Sequence, residues 1–163
     1  MLPFLGVAWL TLAAIASPAP ASPAPGPLLA CTQRGALTDQ LLTGFSEITS
    51  QYYISALADF ETEGAMQDAC ADGWCSGADP LQARLRAGYA YAGAAAAYFG
   101  LGEAREARDA LDHATRALAK IVADARAPAT LHDASQTALA YAASVAGRQA
   151  PVTPTLCAAA PGK

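Results

Sequence analysis

Cys70 and Cys75 stand in the stretch DACADGWCSGAD, residues 68–79, together with three aspartates, two glycines and a tryptophan. Residues of these types at this spacing can do three things: ligate a metal, exchange electrons as a dithiol, or close a disulfide over a turn. A structural zinc site needs four nitrogen or sulfur ligands. The two histidines, His113 and His132, do not stand at metal spacing from the cysteines. A redox dithiol favours C-x-x-C between a strand and a helix. Here four residues intervene and no strand pattern precedes them. The disulfide clasp is the favoured reading, and no cofactor is implied.

Calcium is the remaining alternative for this loop. Asp68, Asp72, Gly73 and Asp79 fall in a spacing that resembles the EF-hand loop D-x-[DN]-x-[DN]-G-x5-E. The loop departs from that pattern twice. Cys70 stands where an oxygen ligand belongs, and Asp79 replaces the bidentate glutamate while also suiting a helix cap. Aspartate and glycine also crowd ordinary turns for local reasons.

Other catalytic chemistry is sparse. His132-Asp133 resembles the dyad of secreted phospholipases, but that family's neighbouring cysteine and calcium-loop elements are absent. At a helix start Asp133 reads as a cap and His132 as a solvent-exposed first-turn residue. His113 falls mid-helix beside Asp109 and Asp112, on the face expected to be wet. No nucleophile elbow, phosphate loop or histidine–carboxylate metal motif occurs in the sequence. The chain therefore reads as non-enzymatic. Among its tyrosines, Tyr89, Tyr91 and Tyr98 are the candidates for a binding surface.

The elements that must position these residues follow an addressing segment. FLGVAWLTLAAIA, residues 4–16, is an uncharged apolar run of 13, too short for a stable membrane anchor and suited to a signal-peptide core. Small-x-small cleavage sites follow at Ala14–Ala16 and Ala19–Ala21, so residues 1–21 read as a signal peptide. A basic residue ahead of the run is missing. Residues 22–35 read as a Pro/Ala-rich extended linker. Leu28, Ala30 and Cys31 resemble the bacterial lipobox, which makes a lipoprotein anchored through Cys31 the alternative localisation. Four cysteines beyond the signal instead suit two disulfides in the periplasm or outside the cell, with no membrane span left after signal removal.

Helical periodicity governs residues 36–150, with a tail over 151–163. Leu37, Leu41, Phe45, Ile48, Tyr52, Ala56 and Phe60 recur at three- and four-residue steps, predicting one helix that stops at Gly64. Asp79-Pro80 with Gln82 opens a second helix that ends at Gly102. A third, about 103–125, turns Ala107, Leu111, Ala114, Leu118 and Ile121 inward. Its outer face would pair Arg105 with Asp109, Arg108 with Asp112, and Asp112 with Arg116. Thr130 with Asp133 caps a fourth, to about Ala146. The expected fold is all-α, a four-helix up-down bundle or paired helical hairpins.

That topology pairs the cysteines. A straight helix over 36–63 would be about 42 Å long, separating Cys31 from Cys70 and Cys75. The fourth antiparallel helix would finish near the start of the first, just before Cys157. Cys31–Cys157 and Cys70–Cys75 are then the expected bridges. The first would be worth ~4–5 kcal/mol in loop entropy.

Residues 91–118, YAGAAAAYFGLGEAREARDALDHATRAL, resemble a single tetratricopeptide (TPR) helical hairpin. Tyr91, Tyr98, Ala107 and Ala114 fall on that family's packing positions, and Leu101-Gly102 matches its inter-helix turn. Ala95, Leu111 and Ala119 depart from its glycine, aromatic and proline positions. The resemblance implies a scaffold that binds a peptide or protein. Charge is polarised along the chain. Up to Asp79 one basic residue faces eight acids, a balance of −7, and beyond it nine face six, a balance of +3. No basic cluster is interleaved with aromatics, so nucleic acid is not an expected partner. The reading is an exported, non-enzymatic interaction module. Its alternatives are a calcium-binding protein centred on 68–79 and a small periplasmic inhibitor or immunity-type protein.

Overall fold

A computed structural model describes residues 24–28 and 37–155. Five helices carry the fold: α1 (Asp39–Thr49), α2 (Tyr53–Ala71), α3 (Pro80–Leu101), α4 (Ala104–Val122) and α5 (Ala129–Arg148). Two short strands, β1 (Ala24–Leu28) and β2 (Val152–Thr155), pair in parallel with Ala24 opposite Val152 and Leu28 opposite Thr155. The fold is otherwise all-helical, and no helix among the described residues is long and apolar enough to cross a membrane.

The single first helix expected from periodicity is in fact two. Thr49, Ser50 and Gln51 interrupt it, and Gln51 adopts a left-handed φ of 63°. Thr49 and Ser50 are weak helix formers whose hydroxyls compete for backbone bonds, and Thr49 Oγ1 donates to the Phe45 carbonyl. The chain then reverses. Thr38 meets Glu63, Gln40 meets Asp59, and Glu47 meets Ser55, so α1 and α2 lie antiparallel. The reversal exchanges two tyrosines: Tyr53 enters the core and Tyr52 is exposed. Gly64 does not end a helix. It sits inside α2, where a Cβ would lie 3.0 Å from the Tyr91 ring.

The other termini follow local chemistry. Asp79 caps α3, its Oδ1 accepting from Leu81 N at 2.9 Å and Gln82 N at 3.5 Å, with Pro80 in the first turn. Gly102 ends α3 at a left-handed φ of 81°. α5 begins one residue before Thr130 and runs past Gly147 to a left-handed cap at Gln149, so the proposed Thr130–Asp133 capping box lies inside the helix.

α3 is the central helix, packed between α2 and α4 and touched by α1 and α5. Its core face is largely alanine and glycine, which lets the neighbouring backbones approach and their large side chains fill the gap. Leu41, Phe45 and Ile48 of α1, Phe60 of α2, Leu118 and Ile121 of α4, and Tyr141 and Val145 of α5 converge on it. None of the three ion pairs expected on the outer face of α4 closes to bonding distance among the described residues; those carboxylates and guanidiniums stay exposed.

The Pro-rich segment also differs from the expected linker, because Ala24–Leu28 pairs with β2 and packs on α5. Proline cannot donate to a ladder, but in a two-stranded pair every strand has an outer edge where no donor is needed. Cys31 and Cys157 lie outside the described residues.

Candidate functional site

The acidic stretch is a clasped turn. Cys70, at the end of α2, is disulfide-bonded to Cys75. Gly73 and Gly77 adopt left-handed φ values of 93° and 77°, giving the reversals an L side chain resists. The three calcium candidates serve three different purposes. Asp72 ends α2 with its carboxylate 3.7 Å from Arg84 Nη2, Asp79 caps α3, and Asp68 turns away from the loop. Among the described residues no group of three or more His, Cys, Asp or Glu side chains is placed to hold a metal. Replacing both Cys70 and Cys75 with alanine is expected to cost about 2 kcal/mol through the entropy of a short loop, with helix content unchanged. Urea denaturation of the variant checks it. A loss near zero would mean that the turn is already fixed by its glycines and caps.

Asp68 belongs instead to a polar tier spanning three helices. Its Oδ2 accepts from the Tyr91 hydroxyl at 2.8 Å and lies 2.8 Å from His113 Nε2. The Tyr91 and His113 rings stack with centroids 3.9 Å apart. His113, expected on the wet face of α4, thus joins α2 and α3 and is 43% exposed. One heptad away, Tyr98 donates to Glu61 Oε1 at 2.5 Å. Residues seven apart share a helix face. Glu61 and Asp68 of α2 therefore meet Tyr98 and Tyr91 of antiparallel α3 as two rungs of one ladder. The paired sevenfold spacing was present in the sequence, but the register of α2 on α3 was needed to read it.

The ladder shifts both phenols. Burial, then the Asp68 hydrogen bond and the nearby carboxylates, raises Tyr91. The hydrogen bond to Glu61 pushes Tyr98 up to about 12, helped by burial and the charges of Glu61, Glu103 and Glu106. A carboxylate orienting an imidazole can prepare a general base. The carboxylate, the phenol and the imidazole come from three different helices, so the tier ties α2, α3 and α4 together. Asp68→Ala leaves a phenol and an imidazole without their shared acceptor and should cost about 1–2 kcal/mol, against less than about 1 for Tyr91→Phe. Chemical denaturation of the two variants tests that order.

Behind the tier Glu63 is buried, its Oε1 accepting from Thr38 Oγ1 at 2.7 Å and Gln67 Nε2 at 3.1 Å. Of the tyrosines expected at a surface, Tyr89 is wholly buried, because it points between α3 and α5 and stacks on Tyr141. His132 lies in the first turn of α5, half-buried, with Asp133 exposed beside it.

The exposed aromatic-apolar surface lies elsewhere. At the α1–α2 reversal and the end of α3, a groove of about 590 Å3 is lined by Gln51, Tyr52, Tyr53, Ile54, Ala58 and Leu101. Tyr52 is 67%, Ile54 76% and Leu101 36% exposed. Periodicity hid this surface by placing Tyr52 in the core, and only the reversal at Gln51 brings it out. A second groove of about 550 Å3 runs between α4 and α5 past Leu111 and Leu139. Trp74, 86% exposed, stands apart on the clasped turn. Compared with known proteins, the chain matches no family model, no curated protein and no solved structure.

Proposed function

We propose that the chain is an exported, non-enzymatic helical interaction module that binds a protein or peptide partner at the groove formed by Tyr52, Ile54 and Leu101. The observation that carries this reading is the exposure of three large apolar side chains around one concavity. Scattered single apolar residues are normal on a surface, whereas clustered ones at a depression mark contact sites. The α3–α4 hairpin over 91–118 supports a TPR-like scaffold as its frame. The Cys70–Cys75 bridge supports export, since disulfides persist in oxidising compartments.

A second bridge, Cys31–Cys157, completes this reading. The straight first helix that would hold Cys31 away from Cys70 and Cys75 is in fact the α1–α2 hairpin. The support now comes from β1 and β2: Leu28 pairs with Thr155, three and two residues from the cysteines along the sequence. Non-reducing peptide mapping of exported protein decides it.

The groove is tested by placing a photo-cross-linking residue at Ile54 or, as a control, at exposed Gln136 of α5, in protein exported by its native host. A discrete adduct at position 54 and none at 136 is the expected result. No adduct, or the same adducts at both positions, would remove the groove as a binding face.

A further inference from the structure

Resting on that reading, we infer that the segment docking in the groove is cationic and amphipathic, with apolar side chains meeting Tyr52, Ile54 and Leu101 and lysine or arginine flanking them. The rim of the groove carries the argument. Ser55, beside Ile54, donates its hydroxyl to Glu47 Oε1 at 2.5 Å, so a carboxylate stands on the α1 side. The other oxygen, Glu47 Oε2, is shut off from solvent and has no hydrogen-bond partner among the described residues. The oxygen is too enclosed to be bonded directly, but a partly desolvated carboxylate beside the groove favours a cation at the rim over an anion.

The opposite rim is acidic as well. Ile54, Ala58 and Glu61 follow at steps of four and three, so the α2 face that lines the groove continues onto Glu61. Glu61 reaches Tyr98, one turn before Leu101. Glu103 and Glu106 act on the same phenol from the start of α4. Between Leu37 and Ala83 the described chain holds eight carboxylic acids and no lysine or arginine, and Arg105 is the one cation on the α3–α4 turn.

This rim selects among occupants. An acidic segment, or a membrane rich in anionic lipid, would set like charges together. A second copy docking the same patch would face its own acidic rim across the symmetry axis. The chain's apolar run at 4–16 carries no charge and leaves the rim unmatched. A basic amphipathic segment satisfies both the groove and the rim.

The test uses the full mature chain and two fluorescent helical peptides of about 14 residues, one of leucine and lysine and one of leucine and glutamate with the same apolar pattern. Anisotropy titrations at low and physiological salt are expected to show the leucine–lysine probe binding at least ~10-fold tighter than its counterpart. Ile54→Ser, which leaves the charge unchanged, should weaken it by about 10-fold. Glu103→Gln with Glu106→Gln, both at exposed positions, should weaken it ~3- to 10-fold and flatten its salt dependence. Unchanged binding by Ile54→Ser would mean that the acidic surface holds cations without the groove, and the inference falls. Equal binding of the two probes also overturns it, while leaving the groove as a binding face. So would Ile54-dependent dimerisation in sedimentation, or Ile54-dependent binding of phosphatidylserine vesicles. If neither probe binds but position 54 still cross-links a partner, the cationic inference fails and the interaction reading stands. If position 54 cross-links nothing either, both fail.

Discussion

Gly93→Ala is expected to destabilise the fold by about 1–3 kcal/mol, although alanine is the better helix former by nearly 1 kcal/mol. The reason lies in Phe60. Its ring is fully buried, with Gly44 of α1 on one side and Gly93 of α3 on the other. A Cβ built on Gly93 would lie 2.6 Å from two carbons of that ring, and one on Gly44 would lie 2.8 Å from two. Close-packed interiors cannot absorb such an overlap without shifting a side chain off its rotamer or a helix off its seat. Phe60 also packs against Phe45 at 5.0 Å between centroids, so the ring cannot simply move toward α1.

The mechanism predicts a coupling as well as a loss. Phe60→Leu alone should cost about 1–2 kcal/mol by leaving a cavity between the two glycines. In the double variant the alanine methyl enters space the ring has vacated. Gly93→Ala with Phe60→Leu should therefore fall short of the summed costs by about 1 kcal/mol. Urea denaturation of the four proteins measures the cycle. Strict additivity would show that the two positions do not share the contact, and that the alanine-rich helix has slack elsewhere.

The same helix shows which features the sequence made legible. The Asp79-Pro80 start and the Gly102 stop depend on cap chemistry within a few residues, and both stand where local rules put them. The Cys70–Cys75 clasp forms as expected, although the straight first helix that would single out this pairing is a hairpin. The break at Gln51 was not legible. Ile48 and Tyr52 are four apart, so the helical period continues numerically across a reversal that contains neither glycine nor proline. Tertiary packing, with Tyr53 closing over Gly100, overrides that pattern. Asp68 was misplaced for a related reason. It stands in the last turn of α2, next to the acidic turn, but its partners Tyr91 and His113 lie on two other helices. Strand β1 was hidden because proline composition signals extended backbone without saying what, if anything, it pairs with.

Tyr89 and Tyr141 make the fold sensitive to alkali, and the two are separable at neutral pH. Both are buried between α3 and α5, and burial raises both phenols far above the ordinary tyrosine value, with Tyr89 adding to the shift of Tyr141. A phenol held protonated in the fold but ionised in the open chain stabilises the fold fully below about pH 10 and loses that contribution as pH rises toward its folded value. Each such tyrosine lowers stability by about 1.4 kcal/mol per pH unit above that point, so the pair removes about 3. A domain with 5–15 kcal/mol in hand, the ordinary range, should unfold within a few pH units of the unfolded tyrosine value. The hydroxyls differ in their partners. Tyr141 donates to the Val152 carbonyl at 2.9 Å, tying α5 to β2, whereas the Tyr89 hydroxyl has no hydrogen-bond partner among the described residues. Tyr141→Phe should therefore cost about 1 kcal/mol at neutral pH, and Tyr89→Phe should gain a similar amount by removing an unsatisfied buried group. Each substitution should take about 1.4 kcal/mol per pH unit out of the alkaline slope, to which the raised phenols of Tyr53, Tyr91 and Tyr98 also contribute. Urea denaturation followed by helical circular dichroism, at neutral pH and in steps above pH ~10, reads both effects. A loss for Tyr89→Phe at neutral pH would show that its hydroxyl is bonded through a buried water, while an unchanged alkaline slope in both variants would show that these phenols do not hold their protons in the fold.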